Sequence, residues 1–181
     1  MSELFLNQTR ILTSADIPSS YWNMFDGTAD FSGNHWHGLD LYTDSNWASP
    51  VGNKCMQKRG SWGGLSKDIY LRTGKTYTIS ASVFVESNSS NDHINCYGSN
   101  LNNSTIISYS GSNIISLKDI SNRWATIHFT FTVPQNDTYY VRFESENDQI
   151  NIYWADLMLN DGAVPLNWNY SLNDIKSHLG K

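Results

Sequence analysis

The chain has 181 residues, with 12 Lys and Arg against 17 Asp and Glu, a net charge of −5 and no basic run. Phosphate backbones are held by clustered Lys and Arg, so a nucleic-acid partner is disfavoured, and nothing approaches the ~20 consecutive apolar residues of a membrane-inserted span. Aromatic residues make up 13 % of the chain and charged residues 16 %, which describes one folded domain with a neutral, polar surface rather than a disordered chain.

Residues 1 to 20 carry two short apolar pieces, Leu4–Leu6 and Ile11–Leu12, which read as a first strand or an N-terminal arm ahead of a domain at 21–181. The opening MSELFLNQTR has neither a basic nor an apolar signal region, so synthesis in a cytosol without a secretion signal is expected. Residues 21–50 read as long loop with at most one short strand, broken by Gly27, Gly33, Gly38 and Pro50. The same segment holds Tyr21, Trp22, Phe25, Phe31, Trp36, Tyr42 and Trp47, too many aromatics for a linker.

From Val51 strands are predicted near 52–59, 66–72, 75–86, 93–98, 104–109, 113–117, 124–133, 138–145 and 150–159. Turn residues separate them at Gly63-Gly64, Thr73-Gly74, Ser87 to Asp92, Asn100 to Asn103, Gly111, Ser121-Asn122, Gln135 to Asp137 and Asn147-Asp148. The clearest strand is WATIHFTFTV, where Ala125, Ile127, Phe129, Phe131 and Val133 alternate with Trp124, Thr126, His128, Thr130 and Thr132. Period-two alternation is what a strand with one buried and one wet face needs, and Pro134 then ends the ladder. Thr76 to Val85 repeats the pattern with Tyr77, Ile79, Ala81, Val83 and Val85 on one side. Short strands joined by polar turns, with no alternating helices, predict an all-β sandwich or barrel. Beyond Pro165 and Trp168 a short helix is expected, with Ser171 as its cap and Asp174 in the first turn.

Hydrolytic motifs are weak. A nucleophile elbow needs Gly-x-Ser-x-Gly, whereas Gly60-Ser61-Trp62-Gly63-Gly64 puts Trp at the centre. Glu is scarce and most Asp falls in turns, so a glycosidase pair of carboxylates has little to draw on. Cys55 and Cys96 both fall in predicted strands and read first as small buried hydrophobes, a bridge between them being the other reading. His35-Trp36-His37 has a metal-like i, i+2 spacing, with Asp40 as carboxylate and His93 or His128 as third ligand; oxygen-ligated calcium suits this composition better.

The surplus is aromatic and amide. Sugar rings offer an apolar C–H face and a rim of hydroxyls, which an exposed aromatic plate with amides, His or Arg at its edge complements. Trp36 with His35 and His37, Trp62 with Arg59, and Tyr97 with Asn95 have that composition. Trp154 reads as core, and Trp124 and Trp168 as packing, whereas Trp36, Trp47 and Trp62 lie among Gly, Ser and Asn and are the candidates for exposure.

The run Ser121 to Pro134 (SNRWATIHFTFTVP) followed by Tyr139 to Phe143 (YYVRF) resembles the W-x-x-x-x-x-F-T-V-P signature of family 4/9-like carbohydrate-binding modules. Gly27 to Gly33, Lys58 to Gly64 (KRGSWGG), Gly74 to Ala81 and the ending Leu157 to Gly162 with Pro165 and Trp168 are similar to such modules in phages infecting lactic-acid bacteria, in their tail and baseplate proteins. The resemblance spans about residues 25–175. It implies a jelly-roll β-sandwich of two antiparallel sheets, non-catalytic saccharide binding through groove aromatics, and often a structural calcium rather than a required cofactor. It implies a virion location, with host cell-wall polysaccharide and other tail or baseplate proteins as partners. Trp62 and Arg59 inherit the strongest binding role from the Lys-Arg-x-x-Trp segment; Trp36, His37, Tyr97, Asn95 and Trp47 join them on composition, and Asp156 sits in the last strand, where the resemblance implies an acid of the calcium region. The rival expectations are a structural virion jelly roll, and a polysaccharide-acting or metal-dependent jelly-roll enzyme built on His35 and His37.

Overall fold

The computed structural model describes residues 3–6, 9–13, 21–86, 90–102, 105–107 and 113–179. Its strands are β1 (Glu3–Leu6), β2 (Thr9–Thr13), β3 (Trp36–His37), β4 (Thr43–Ala48), β5 (Lys54–Arg59), β6 (Ser66–Lys67), β7 (Ile69–Leu71), β8 (Thr76–Val85), β9 (His93–Asn100), β10 (Thr105–Ile107), β11 (Asn113–Ser116), β12 (Trp124–Thr132), β13 (Asp137–Ser145) and β14 (Asn151–Asp161), followed by helix α1 (Leu172–Leu179). One five-stranded sheet has the order β12-β8-β14-β5-β4; the other runs β10-β9-β13-β7, with β11 also on β9, and both are antiparallel. We call them the front sheet (β9, β13, β7 and their neighbours) and the back sheet. The turns expected at Ser87 to Asp92, Asn100 to Asn103 and Gly111 fall wholly or partly outside the described residues.

The two alternating segments are direct neighbours. In β12 and β8, Ile127 faces Ala81, Phe129 faces Ile79 and Phe131 faces Tyr77, so their apolar side chains meet in register on one face. That face packs on Ile94 and Cys96 of β9 and on Tyr139, Val141 and Phe143 of β13, all buried in one cluster. Trp154 lies in the same core, stacked on Phe143 at 6.4 Å, as its apolar strand context predicts. The cysteines are free and buried: Cys96 faces the core, whereas Cys55 lies beneath Tyr153 and Ala155 on the far side of the back sheet.

β1 and β2 pair with each other as a hairpin and, among the described residues, have no partner in the front or back sheet. Two features depart from the sequence reading. Residues 21–50, expected to be largely loop, supply the edge strand β4, the short β3 and a 3-10 turn at Leu39–Leu41. Polar residues dominate TDSNWA in β4, and its register slips between Asp44 and Ala48, so no period-two signal marks it. In β14, Ile152 and Trp154 point into the core, and so do Leu157 and Leu159; the change of parity comes from a bulge at Asp156, whose φ is 53°.

Buried polar groups tie the connections down. Asn23 is 2 % exposed; its Oδ1 accepts from the N–H groups of Phe25 (3.0 Å) and Leu159 (3.1 Å), and its Nδ2 donates to Thr28 Oγ1 and the Leu157 carbonyl, each at 2.9 Å. Ser171 and Asp174 form the expected cap reciprocally: Ser171 Oγ accepts from Asp174 N–H at 3.0 Å and Asp174 Oδ2 from Ser171 N–H at 3.2 Å. Asp174 Oδ1 also accepts from Gly27 N–H at 2.8 Å, which docks α1 on the 21–31 loop. After β14 the chain crosses the far side of the back sheet, where Thr78 and Thr130 donate to the carbonyls of Gly162 (2.8 Å) and Ala163 (3.3 Å).

Between β5 and β6 the chain changes sheets through Gly60, Trp62 and Gly63, all at positive φ. The following stretch presses on β13: Trp62 N–H donates to the Ser145 carbonyl at 2.8 Å and Ser66 Oγ to the Val141 carbonyl at 3.0 Å. A Cβ on Gly64 would lie 2.1 Å from the Phe143 carbonyl oxygen, so only glycine permits this approach. Gly64→Ala is therefore expected to cost roughly 3 kcal/mol or more in urea denaturation. A variant as stable as wild type would show that this segment does not lie against β13.

Lys67 is 5 % exposed, with Nζ 2.6 Å from Asp26 Oδ1, 3.1 Å from the Asp26 carbonyl oxygen and 5.0 Å from the centre of the Trp36 ring. Burial works against the Asp26 charge, but the hydrogen bond and charge of Lys67 outweigh it and hold this carboxyl below its ordinary value of 3.8. The pair thus stabilises fully above that pH and loses its contribution as the pH falls through the lower folded-state value. Lys67→Met is expected to lower stability at neutral pH by about 1–3 kcal/mol and to flatten the stability decline below about pH 4. An unaltered acid limb in pH-resolved thermal melts would assign it to other carboxylates.

Candidate binding face

Because Tyr139, Val141 and Phe143 are buried, the alternate residues of β13, Tyr140, Arg142 and Glu144, stand on the outer surface of the front sheet. On β9 the same logic puts Asn95 and Tyr97 on the side away from Ile94 and Cys96, Tyr97 half-buried and Asn95 fully buried beneath its neighbours. Tyr70 of β7, 59 % exposed and paired with Thr138, extends the surface toward the sheet edge. Trp62, 42 % exposed, stands at the rim, edge-on to Tyr97 at 6.2 Å.

Arg142 is the centre of this surface. Its guanidinium carbon lies 5.7 Å from the Tyr97 ring and 5.1 Å from the Tyr140 ring, and its Nε donates to Glu144 Oε1 at 2.5 Å. Two aromatic rings and a carboxylate hold the cation in place with little residual freedom. Its Nη1 is buried without a hydrogen-bond partner. Glu144 Oε1 also accepts from Gly64 N–H at 3.4 Å, linking the centre to the glycine turn. Beyond Tyr140, the His37 ring lies 5.4 Å away and its Nε2 is 2.6 Å from Asp68 Oδ1. On the other side, Asn95 Nδ2 donates to Glu146 Oε1 at 2.9 Å while Asn95 Oδ1 is buried and unbonded. The surface therefore offers flat rings around a fixed guanidinium, with the carboxylates of Glu144 and Glu146 already accepting from protein donors. Such a surface recognises a ligand carrying apolar faces and hydroxyls.

The structure brings together Trp62, Tyr97, Asn95 and His37, four of the residues singled out by sequence. Arg59 is not with them: it shares a face with Cys55 and Gln57 on the far side of the back sheet, because the chain turns over between Arg59 and Trp62. Trp47 also lies there, stacked on Tyr153 at 4.6 Å. Trp36 is a packing residue, 5.3 Å from Phe31, half-buried over Lys67, with Nε1 donating to the Ser32 carbonyl at 2.9 Å. Tyr140, Arg142, Glu144, Asp68 and Tyr70 were not singled out. YYVRFES carries the relevant signal, an alternation whose polar half is ring, guanidinium and carboxylate.

His35, His37, Asp40, His93 and His128 do not converge, and among the described residues no three His, Cys, Asp or Glu side chains gather as a metal site. Asp156, the acid associated with calcium, is 4 % exposed; its Oδ1 accepts from Ser49 Oγ and Asn53 Nδ2, each at 2.7 Å. Its Oδ2 is buried with no hydrogen-bond partner, a feature that suits a bound cation.

Comparison with known proteins bears on the fold. The C-terminal family 22 carbohydrate-binding module of Clostridium thermocellum Xyn10B superposes with a TM-score of 0.58 at 16 % identity, over 82 % of this chain and 100 % of that one. A xylan-binding domain of family 22 gives 0.55 at 17 % identity, over 80 % and 98 % of the two chains. The CBM22-1 xylan-binding domain of Paenibacillus barcinonensis Xyn10C gives 0.53 at 12 %, over 74 % and 90 %. At such identities these similarities concern the fold, an all-β jelly-roll sandwich. No curated protein sequence matches the chain. The sequence profile of the carbohydrate-binding domain family 4/9 matches residues 25–149, well over half of the chain. The chain belongs to this family of carbohydrate-binding domains.

Proposed function

We propose that the outer surface of the front sheet binds a host cell-wall polysaccharide without catalysis, and that the domain serves on a phage tail or baseplate during adsorption. The observation that carries the binding surface is Arg142 clamped between Tyr97 and Tyr140 with Trp62 at the rim. Sugar rings stack on Trp62 and the tyrosines, whose rings flank the fixed Arg142 guanidinium. The phage setting rests on the sequence motifs at Gly27 to Gly33, Lys58 to Gly64 and Gly74 to Ala81, and it makes other tail or baseplate proteins the structural partners. A shallow site of this kind binds with a dissociation constant of ~10⁻³–10⁻⁵ M, about 4–7 kcal/mol, and many copies on one particle raise the effective affinity.

The test is retention of labelled protein on intact Gram-positive cells. Trp62→Ala, with its fold checked by circular dichroism, is expected to weaken binding about tenfold or more, as loss of an aromatic anchor does. Full retention by the variant would move the site, and absence of binding by clustered wild type would favour a purely structural role in the virion.

The proposal includes a structural calcium at Asp156, with Oδ2 as its charged ligand and an effect on stability alone. Millimolar calcium is then expected to raise the melting temperature, EDTA to reverse this, and Asp156→Asn to remove the response. A melting temperature indifferent to both would leave Asp156 solely as the hydrogen-bonded residue of the β14 bulge.

A further inference from the structure

Two residues that the sequence marks for binding, Trp47 and Arg59, lie on the side of the sandwich opposite Trp62 and Arg142. There an aromatic row crosses the back sheet perpendicular to its strands. Trp124 of β12 and Phe84 of β8 are paired and 5.8 Å apart; Phe84 is paired with Tyr153 of β14 at 5.9 Å. Trp47 of β4 reaches over the small Cys55 of β5 to lie flat on Tyr153, 8° from parallel. Although stacked on one face, Trp47 remains 47 % exposed. The plate is braced from below: Tyr153 Oη donates to Glu86 Oε1 at 2.7 Å, and Asn151 Nδ2 to the same carboxylate at 3.0–3.1 Å.

Arg59 stands beside it. It pairs with Asn151 on the outward-facing parity of β5, two residues from Gln57, the partner of Tyr153, which sets its backbone about 7 Å along the strand from the level of Tyr153. It is exposed, and among the described residues it makes neither a hydrogen bond nor an ion pair. Glu86, the carboxylate near it, is already engaged by Tyr153 and Asn151. An exposed guanidinium on the same outer face as an exposed indole complements a ring carrying an anionic group.

We propose that this back surface is a second saccharide site, taking a pyranose ring on Trp47 and a phosphate or carboxylate substituent on Arg59. The inference rests on the saccharide-binding reading of the family and adds a consequence: one domain engages two polysaccharide segments at once and cross-links them. The back site is selective for charged saccharide, whereas the front surface, whose guanidinium is already paired with Glu144, is not.

The experiment is electrophoretic retardation and light scattering of the full chain with Gram-positive wall polysaccharide, native, phosphate-stripped or carboxyl-reduced. Wild type, Trp62→Ala, Trp47→Ala, their combination and Arg59→Gln are compared, with the melting temperature of each recorded. Two sites predict that each Trp variant still binds but no longer cross-links, that the double variant does neither, and that Arg59→Gln in the Trp62→Ala background weakens binding about tenfold. One stripped polymer, and not the other, is then expected to lose the back-site contribution, identifying the anionic group. Arg59→Gln leaves the ring stack intact and decides the matter should Trp47→Ala not fold. Complete loss of binding in Trp62→Ala alone, with Trp47→Ala and Arg59→Gln like wild type, would overturn the second site while leaving the proposed function standing. Unchanged saccharide binding by Trp47→Ala together with a shift from dimer to monomer in sedimentation would overturn it in favour of a second copy of the chain. No binding by wild type to any polymer would remove both readings.

Discussion

The structure depends on the packing of two inner faces, in which Ile79, Ala81, Val83, Ile127 and Phe131 of the back sheet close on Ile94, Cys96, Val141 and Phe143 of the front sheet. A strand's side chains alternate strictly, so committing one parity to this core commits the other parity to the outside. Tyr97, Tyr140, Arg142 and Glu144 are presented together for that reason, and so, on the opposite side, are Phe84, Trp124 and Tyr153. Both outer surfaces inherit their rigidity from the core between them, and neither needs a mobile loop to hold its rings in place.

What the core does not decide, the connections do. Trp62 reaches the front surface only because Gly60 and Gly63 tolerate positive φ and Gly64 lets the backbone press against the Phe143 carbonyl. The same turn sends Trp62 and Arg59 to opposite sides, although only two residues separate them in sequence. Elsewhere the long 21–31 segment is held by the buried amide of Asn23, whose hydrogen bonds run both within the loop and to β14, and by Asp174 and Lys67. These polar contacts carry no hydrophobic pattern, so they leave little trace that periodicity can detect.

Asp156 shows the same division at one residue. Its bulge lets Ile152 and Trp154 reach the core from one parity and Leu157 and Leu159 from the other, while its carboxylate turns to Ser49 and Asn53. In sequence, IYWADLML reads as continuous apolar strand with a lone acid, and the reversal of parity cannot be seen until the two ends are packed.

The sequence by itself determined the fold class, the long strands β8, β12, β13 and β14, the cap at Ser171 and the core position of Trp154. All of these follow from local rules: period-two burial, turn chemistry and the reciprocal bonding of an N-cap. It also placed Trp62, Tyr97, Asn95 and His37 among the candidates by composition, but it could not separate them from Arg59, Trp36 and Trp47. Only the tertiary structure decided that four of these share a surface, that Trp36 packs over Lys67, and that Trp47 and Arg59 face the other way. Which side of a sandwich a side chain occupies depends on sheet order, strand register and where the chain crosses between sheets. Those are set by contacts between residues far apart in sequence, such as Gly64 with Phe143 and Trp47 with Tyr153, and no local pattern encodes them.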